Sequence, residues 1–142
     1  MADQARRLLR FGVLLVLLAL LIGLAIPALA VPRLGVAAHV NGVVGGLALI
    51  VLGLLWPHLE LGRRALMVAF WLAVYSFFVA TLMPFLGGAW KAGATMLPLA
   101  AGTARGTPLQ EAILSAGLVT AGAAVFVLFA LLYLGLRGSA RR

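Results

Sequence analysis

Four long apolar runs, each closed by a short cluster of polar, proline or glycine residues, divide nearly the whole chain among them. The runs cover about Phe11 to Ala30, Leu34 to Trp56, Ala65 to Leu86 and Leu109 to Leu136. Each reaches the roughly 20 mostly apolar residues that a bilayer-spanning helix needs. The pattern predicts an all-α integral membrane protein, a four-helix bundle forming a single domain over residues 1–142, with no room for a soluble domain.

The breaks between runs set the connectivity. Pro32, with Gly35 close behind, is expected to end the first span in a tight turn, so that the first two helices are antiparallel neighbours. "WPHLELGRR" makes the next turn, with Trp56 at headgroup depth and Pro57 stopping the helix. "GGAWKAGATMLPLAAGTARGTP" is long for a connection in so small a protein and mixes apolar with small residues. It predicts a segment folded back over the mouth of the bundle. The last span opens at "TPLQ", with Thr107 as N-cap, Pro108 at the first helical position and Gln110 completing a capping box. Glu111 beside it either supports that cap or faces a ligand.

Composition sharpens this picture. Of 142 residues, 65% are hydrophobic and 10% charged, and the mean hydropathy is +1.19, far from an ordinary soluble domain. The chain has no cysteine, so disulfides, iron–sulfur clusters and thiolate ligands are excluded. A formal net charge of +8 does not point to nucleic acid, because the basic residues cluster at span ends rather than along one face. Arg6, Arg7 and Arg10, Arg63 and Arg64, and Arg137, Arg141 and Arg142 fall on one side of the predicted topology; Arg33, Lys91 and Arg105 fall on the other. The bias of eight against three places both termini in the cytoplasm of a bacterial-type inner membrane. The opening "MADQARRLLR" and the later "AIPALA" imitate a signal peptide, but the apolar run exceeds a signal core and reads as a retained helix.

Few polar side chains lie within the spans, and each needs a reason. His39 is five residues into a helix that starts near Leu34, or about 8 Å below its end. An imidazole at that depth must hydrogen-bond, pair or bind a metal, and either a functional role or a bond to a neighbouring helix's carbonyl would satisfy it. Gly42 and Gly46 follow on the same face, as a seam for close helix contact or as space for a flat ligand. Asn41 points roughly 200° round the helix from His39 and is expected to bond across a helix or subunit interface. His58 is nineteen residues from His39, about 28 Å of helix, so the pair cannot clamp one haem within a monomer. It reads as an interfacial surface residue. On the third span, Trp71, Tyr75, Phe78 and Leu82 share a face, with Ser76 and Thr81 beside it, a stripe that is more often bundle packing than a binding site. Tyr75 brings a hydroxyl to mid-span and needs a partner.

Taken together, "AHVNGVVGGLALIVLGLLWP", "AFWLAVY", "AWKAG", "MLPLAAG" and "GTPLQE" resemble the hydroxylaminobenzene mutase family, which is similar in architecture to styrene oxide isomerase. The resemblance runs in order from about His39 to the last span. It implies a homotrimeric four-helix membrane isomerase in which His39 binds the iron of haem b; the bare strip of Gly42 and Gly46 beside that histidine then reads as a cofactor wall. Ferric haem acts as a Lewis acid in the related epoxide isomerase, and the mutase moves a hydroxyl from nitrogen to a ring carbon of a small aromatic. Tyr75 and Ser76 are then candidate catalytic residues, and Trp90 to Met96 a candidate pocket segment. The resemblance departs at Gly45, Ser76, Ala80 and Pro84, where the relatives carry polar side chains.

The leading expectation is therefore a haem-dependent rearrangement of a hydroxylaminoarene to an aminophenol, or of an epoxide to an aldehyde. A non-catalytic membrane haem protein for electron transfer, sensing or haem handling is the alternative. A small transporter or a structural partner subunit ranks last, since a proton-coupled carrier needs an intramembrane carboxylate and Asp3, Glu60 and Glu111 all fall near span ends. The haem reading, and the enzymatic account with it, fails if the His39 ring is tied to a backbone oxygen with no cleft beside it wide enough for a porphyrin.

Overall fold

A computed structural model describes residues 2–137. The start at Met1 and the tail arginines Arg141 and Arg142, used in reading the topology, lie outside the described residues. The chain forms α1 (Ala2–Ala25), α2 (Pro32–Leu55), α3 (Arg63–Trp90), the single-turn α4 (Pro98–Ala101) and α5 (Pro108–Gly135). Among the described residues all regular structure is helical, and the four long helices are apolar and long enough to cross a membrane.

The boundaries move from the expected ones for identifiable reasons. Helix α1 begins nine residues before Phe11, because "ADQARRLLR" continues the helical pattern and buries Leu8 completely. It ends at Ala25, ahead of a 3-10 turn over Ile26–Ala28 that contains Pro27, whose missing N–H cannot extend the α-helix. Pro32 does not end the first span but opens α2, where its fixed φ suits the first helical position. Likewise α2 stops at Leu55, ahead of a 3-10 turn over Trp56–His58.

Consecutive long helices pack side by side, α1 on α2, α2 on α3 and α3 on α5. The central pair, α2 and α3, buries more of its surface than the flanking α1 and α5. The main core fills the end of the bundle nearest the termini. Leu8, Leu15, Leu49, Trp56, Phe70 and Leu128 belong to it, and Phe70 meets the Trp56 ring edge-on at 6.4 Å between centroids. Trp56 is wholly buried rather than lipid-facing, and its indole N–H donates to Gln4 Oε1 at 3.3 Å. His58 is exposed, as the sequence implies.

At the opposite end the segment after Trp90 does fold back. α4 packs on α2, and Ala92, together with Met83 and Leu114, forms a second small core. The capping box at Thr107 and Gln110 is present in both directions. Glu111 takes neither of its expected roles. Its carboxylate accepts from the backbone N–H groups of Gly93, Ala94, Thr95 and Gly106 at 2.9 to 3.2 Å, fastening the connection to α5 by charge-assisted bonds.

Candidate functional site

His39 lies seven positions into α2, since the helix starts at Pro32, and about 10 Å from its end. Its Nδ1 stands 2.7 Å from the carbonyl oxygen of Ala19 on α1. A carbonyl can only accept, so the proton of the neutral ring is on Nδ1 and the lone pair on Nε2. The approach depends on Gly23: a Cβ there would stand 2.8 Å from Nδ1. The ring is half-buried, Nε2 has no hydrogen-bond partner among the described residues, and it is not sealed in the interior.

That arrangement matches the support a ligating histidine usually has, with one ring nitrogen donating to a carbonyl and the other presenting its lone pair. Among the described residues no three His, Asp or Glu side chains converge as a metal site. A bare ion would lack ligands here, whereas a metal in a macrocycle brings its own in-plane donors and needs one axial side chain. The one open imidazole nitrogen at His39 is the kind of donor haem would take from the chain. The ring is tied to a backbone oxygen, the carbonyl alternative of the sequence reading, and none of the five cavities described among these residues is lined by His39. A single copy presents Nε2 at its surface instead.

The two glycines expected to wall the cofactor do something else. A Cβ on Gly42 would meet Ala19 Cβ at 2.6 Å, and one on Gly46 would meet Val16 Cγ2 at 2.6 Å and Gly12 O at 2.7 Å. The bare strip is filled by α1, so Gly42 and Gly46 form the close helix seam and leave no slot for a flat ligand. Close backbone approach of this kind is how helices associate in lipid, where apolar burial gives little drive.

Asn41 bonds on the other side of α2. Its Nδ2 donates to the carbonyl of Ala80 on α3 at 3.0 Å. Pro84, four residues after Ala80 and buried within α3, has no N–H to give that carbonyl. Asn41 supplies the missing donor, in a setting where an unpaired backbone group costs several kcal/mol. Ala80 and Pro84, two of the positions where the sequence resemblance is expected to depart, are thus parts of one device. At a third, Gly45, a Cβ would stand 3.1 Å from Phe77 Cβ.

The candidate catalytic residues diverge. Tyr75 is 42% exposed, and its hydroxyl lies 2.7 Å from Thr120 Oγ1. Thr120 already donates within its own helix, toward Ala116 O and Gly117 O, so Tyr75 is the donor of the pair. Ser76, about 100° further round the helix, is fully buried and donates to Ala73 O at 3.2 Å, and neither residue hydrogen-bonds to His39. The aromatic stripe is not bundle packing as a whole: Trp71 and Leu82 turn outward, while Phe78 meets Phe11 edge-on and Tyr75, though 42% exposed, reaches Thr120 on α5. Trp90 packs against the small core of Met83, Ala92 and Leu114, while Met96 is exposed. Sequence reasoning missed Gly23, whose only signal is an isolated glycine in a leucine-rich span, and the Pro84–Ala80 spacing, which was open to be read.

Comparison with known proteins adds a separate line of observation. The sequence profile of the family described as styrene oxide isomerase matches residues 4–137. Hydroxylaminobenzene mutase HabB of Ectopseudomonas oleovorans is 43% identical over 141 residues, covering 99% of this chain and 86% of that protein. Hydroxylaminobenzene mutase HabA of the same organism is 40% identical over 125 residues, covering 88% and 93%. No solved structure matches the chain significantly.

Proposed function

Because this chain belongs to the styrene oxide isomerase family, and two of its relatives are hydroxylaminobenzene mutases, we propose that it is a membrane-embedded isomerase of small aromatic substrates. The reaction in this reading converts an N-aryl hydroxylamine to an aminophenol. The N–O bond breaks, a C–O bond forms at a ring carbon, and the proton of that carbon goes to nitrogen. Substrate and product are isomers, so no external oxidant or reductant is required.

The observation that carries the cofactor part of the reading is the His39 bond to Ala19, which leaves Nε2 free to ligate. His39 would hold haem b through Nε2. When bound, the iron would supply a Lewis acid able to take up charge at a departing oxygen. The chain's own contribution is orientation and dryness. Ala19 fixes the ring's tautomer, Gly23 gives the ring its place, and the apolar helix faces around it keep water from a cationic aromatic.

The surface position of Nε2 also favours a working unit larger than one chain. Asn41, Tyr75 and Thr120 are exposed at span depth in a single copy, and polar groups in that setting are usually covered by protein. A homotrimer, as the sequence resemblance implies, would cover such faces and close the second wall beside His39. Both termini lie in the cytoplasm in this reading, on the strength of the Lys and Arg asymmetry.

Product analysis tests the proposal. The purified, haem-supplemented protein is incubated separately with phenylhydroxylamine and with styrene oxide. Formation of an aminophenol of unchanged mass is the expected result, and its absence in His39→Ala ties it to the site. Turnover of neither substrate would overturn the isomerase reading and leave the non-catalytic haem protein as the better account.

A further inference from the structure

The end of the bundle opposite the termini carries three basic residues, and the structure brings all three to one place. Arg33 from the start of α2, Lys91 from the end of α3 and Arg105 from the connection before α5 line a single open cleft of about 890 Å³. They come from two separate connections, and all three are exposed. Lys91 reaches its position through a left-handed backbone, at φ 55°, a conformation uncommon for a residue other than glycine. Arg105 is folded onto the loop, Nη1 donating to Gly102 O and Ala104 O.

Nothing of opposite sign lines the cleft. The chain has three acidic residues. Asp3 and Glu60 are at the far end, and the Glu111 carboxylate is occupied by four backbone N–H groups. The start of α2, which has no side-chain cap, opens at the same cleft and adds its own partial positive charge. Just outside it, Leu99 on α4 is 90% exposed. A cationic cleft at the membrane boundary flanked by an exposed leucine matches an amphiphile with an anionic head and apolar tails.

We infer that this cleft binds the phosphate headgroup of an anionic phospholipid. Arg33, Lys91 and Arg105 clasp the phosphate, and Leu99 lies against the acyl chains. The inference is independent of what His39 binds. Native mass spectrometry of the full chain, released from micelles containing equal phosphatidylglycerol and phosphatidylcholine of the same chains, reads the retained lipid directly. The wild type is expected to keep phosphatidylglycerol preferentially. Arg33→Gln, Lys91→Gln and Arg105→Gln together abolish the preference, and each alone weakens it about fivefold. Arg63→Gln with Arg64→Gln, at the other end, leaves it intact. The single variants carry the test if the triple variant loses helicity by circular dichroism. Retention unchanged in the triple or single variants, or lost in the Arg63 and Arg64 pair, overturns the inference. Millimolar inorganic phosphate that raises the unfolding temperature of lipid-free wild type, but not of the triple variant, overturns the lipid assignment in favour of a free anion.

Discussion

The two sides of α2 offer a controlled comparison. His39 and Asn41, two residues apart, each donate to a backbone carbonyl of a different neighbour, Ala19 on α1 and Ala80 on α3. The carbonyls differ in need. Ala19 lies inside α1, where the helix's own amide four residues on already donates to it. Ala80 is deprived of that donor by Pro84. Asn41 therefore answers a demand of the backbone, whereas the Ala19 bond answers a demand of the imidazole. The imidazole is thus held by a bond that no backbone group requires, with Nδ1 fixed and Nε2 without a hydrogen-bond partner among the described residues.

Breaking the seam that holds His39 in place should have the largest effect. Gly46→Val places atoms against Gly12 O and Val16 N, backbone that cannot turn aside, and should destabilise the fold by about 3 kcal/mol in a reversible detergent unfolding assay. Asn41→Ala should cost about 2 kcal/mol by orphaning the Ala80 carbonyl. The comparison is sharpened by repeating it with Pro84→Ala, where the restored helical N–H should remove most of that cost. An equal cost in both backgrounds would show that Asn41 is not answering Pro84. Gly23→Ala pushes on the imidazole rather than on backbone, and should cost about 1 kcal/mol while disturbing His39 far more than the fold. Tyr75→Phe, which removes the bond to Thr120, should lower stability by under about 1 kcal/mol.

How far the sequence could be read follows the same division. Four apolar runs, the turns at Pro57 and the capping box at Thr107 were legible because composition and local chemistry determine them. The end of α1 was misplaced because two prolines, Pro27 and Pro32, compete for the role, and only the structure assigns one to a stop and the other to a start. His39 and Asn41 were legible as polar groups needing partners, but not which carbonyls they would find. That depends on how α1 and α3 are rotated against α2, and in lipid the rotation is set by small-residue packing that a single sequence states ambiguously. The same ambiguity explains Gly42 and Gly46, whose strip suits a ligand or a helix equally well until α1 is seen to fill it. Glu111 found its partners in loop amides, which no side-chain pattern announces. Tyr75 and Ser76, adjacent in sequence, were bound to face different ways on a helix, and the structure gives one an outward partner and the other a buried one.

The central claim is that Nε2 of His39 ligates an iron macrocycle. Optical spectra of the full chain purified with added haem test it most directly, comparing the wild type with His39→Ala at matched helicity. The account predicts a Soret band of protein-bound haem in the wild type, its loss in His39→Ala, and an unfolding free energy of the haem-free variant changed by less than about 1 kcal/mol, because no backbone group is orphaned. A Soret band unchanged by the substitution, or none in the wild type, would contradict it.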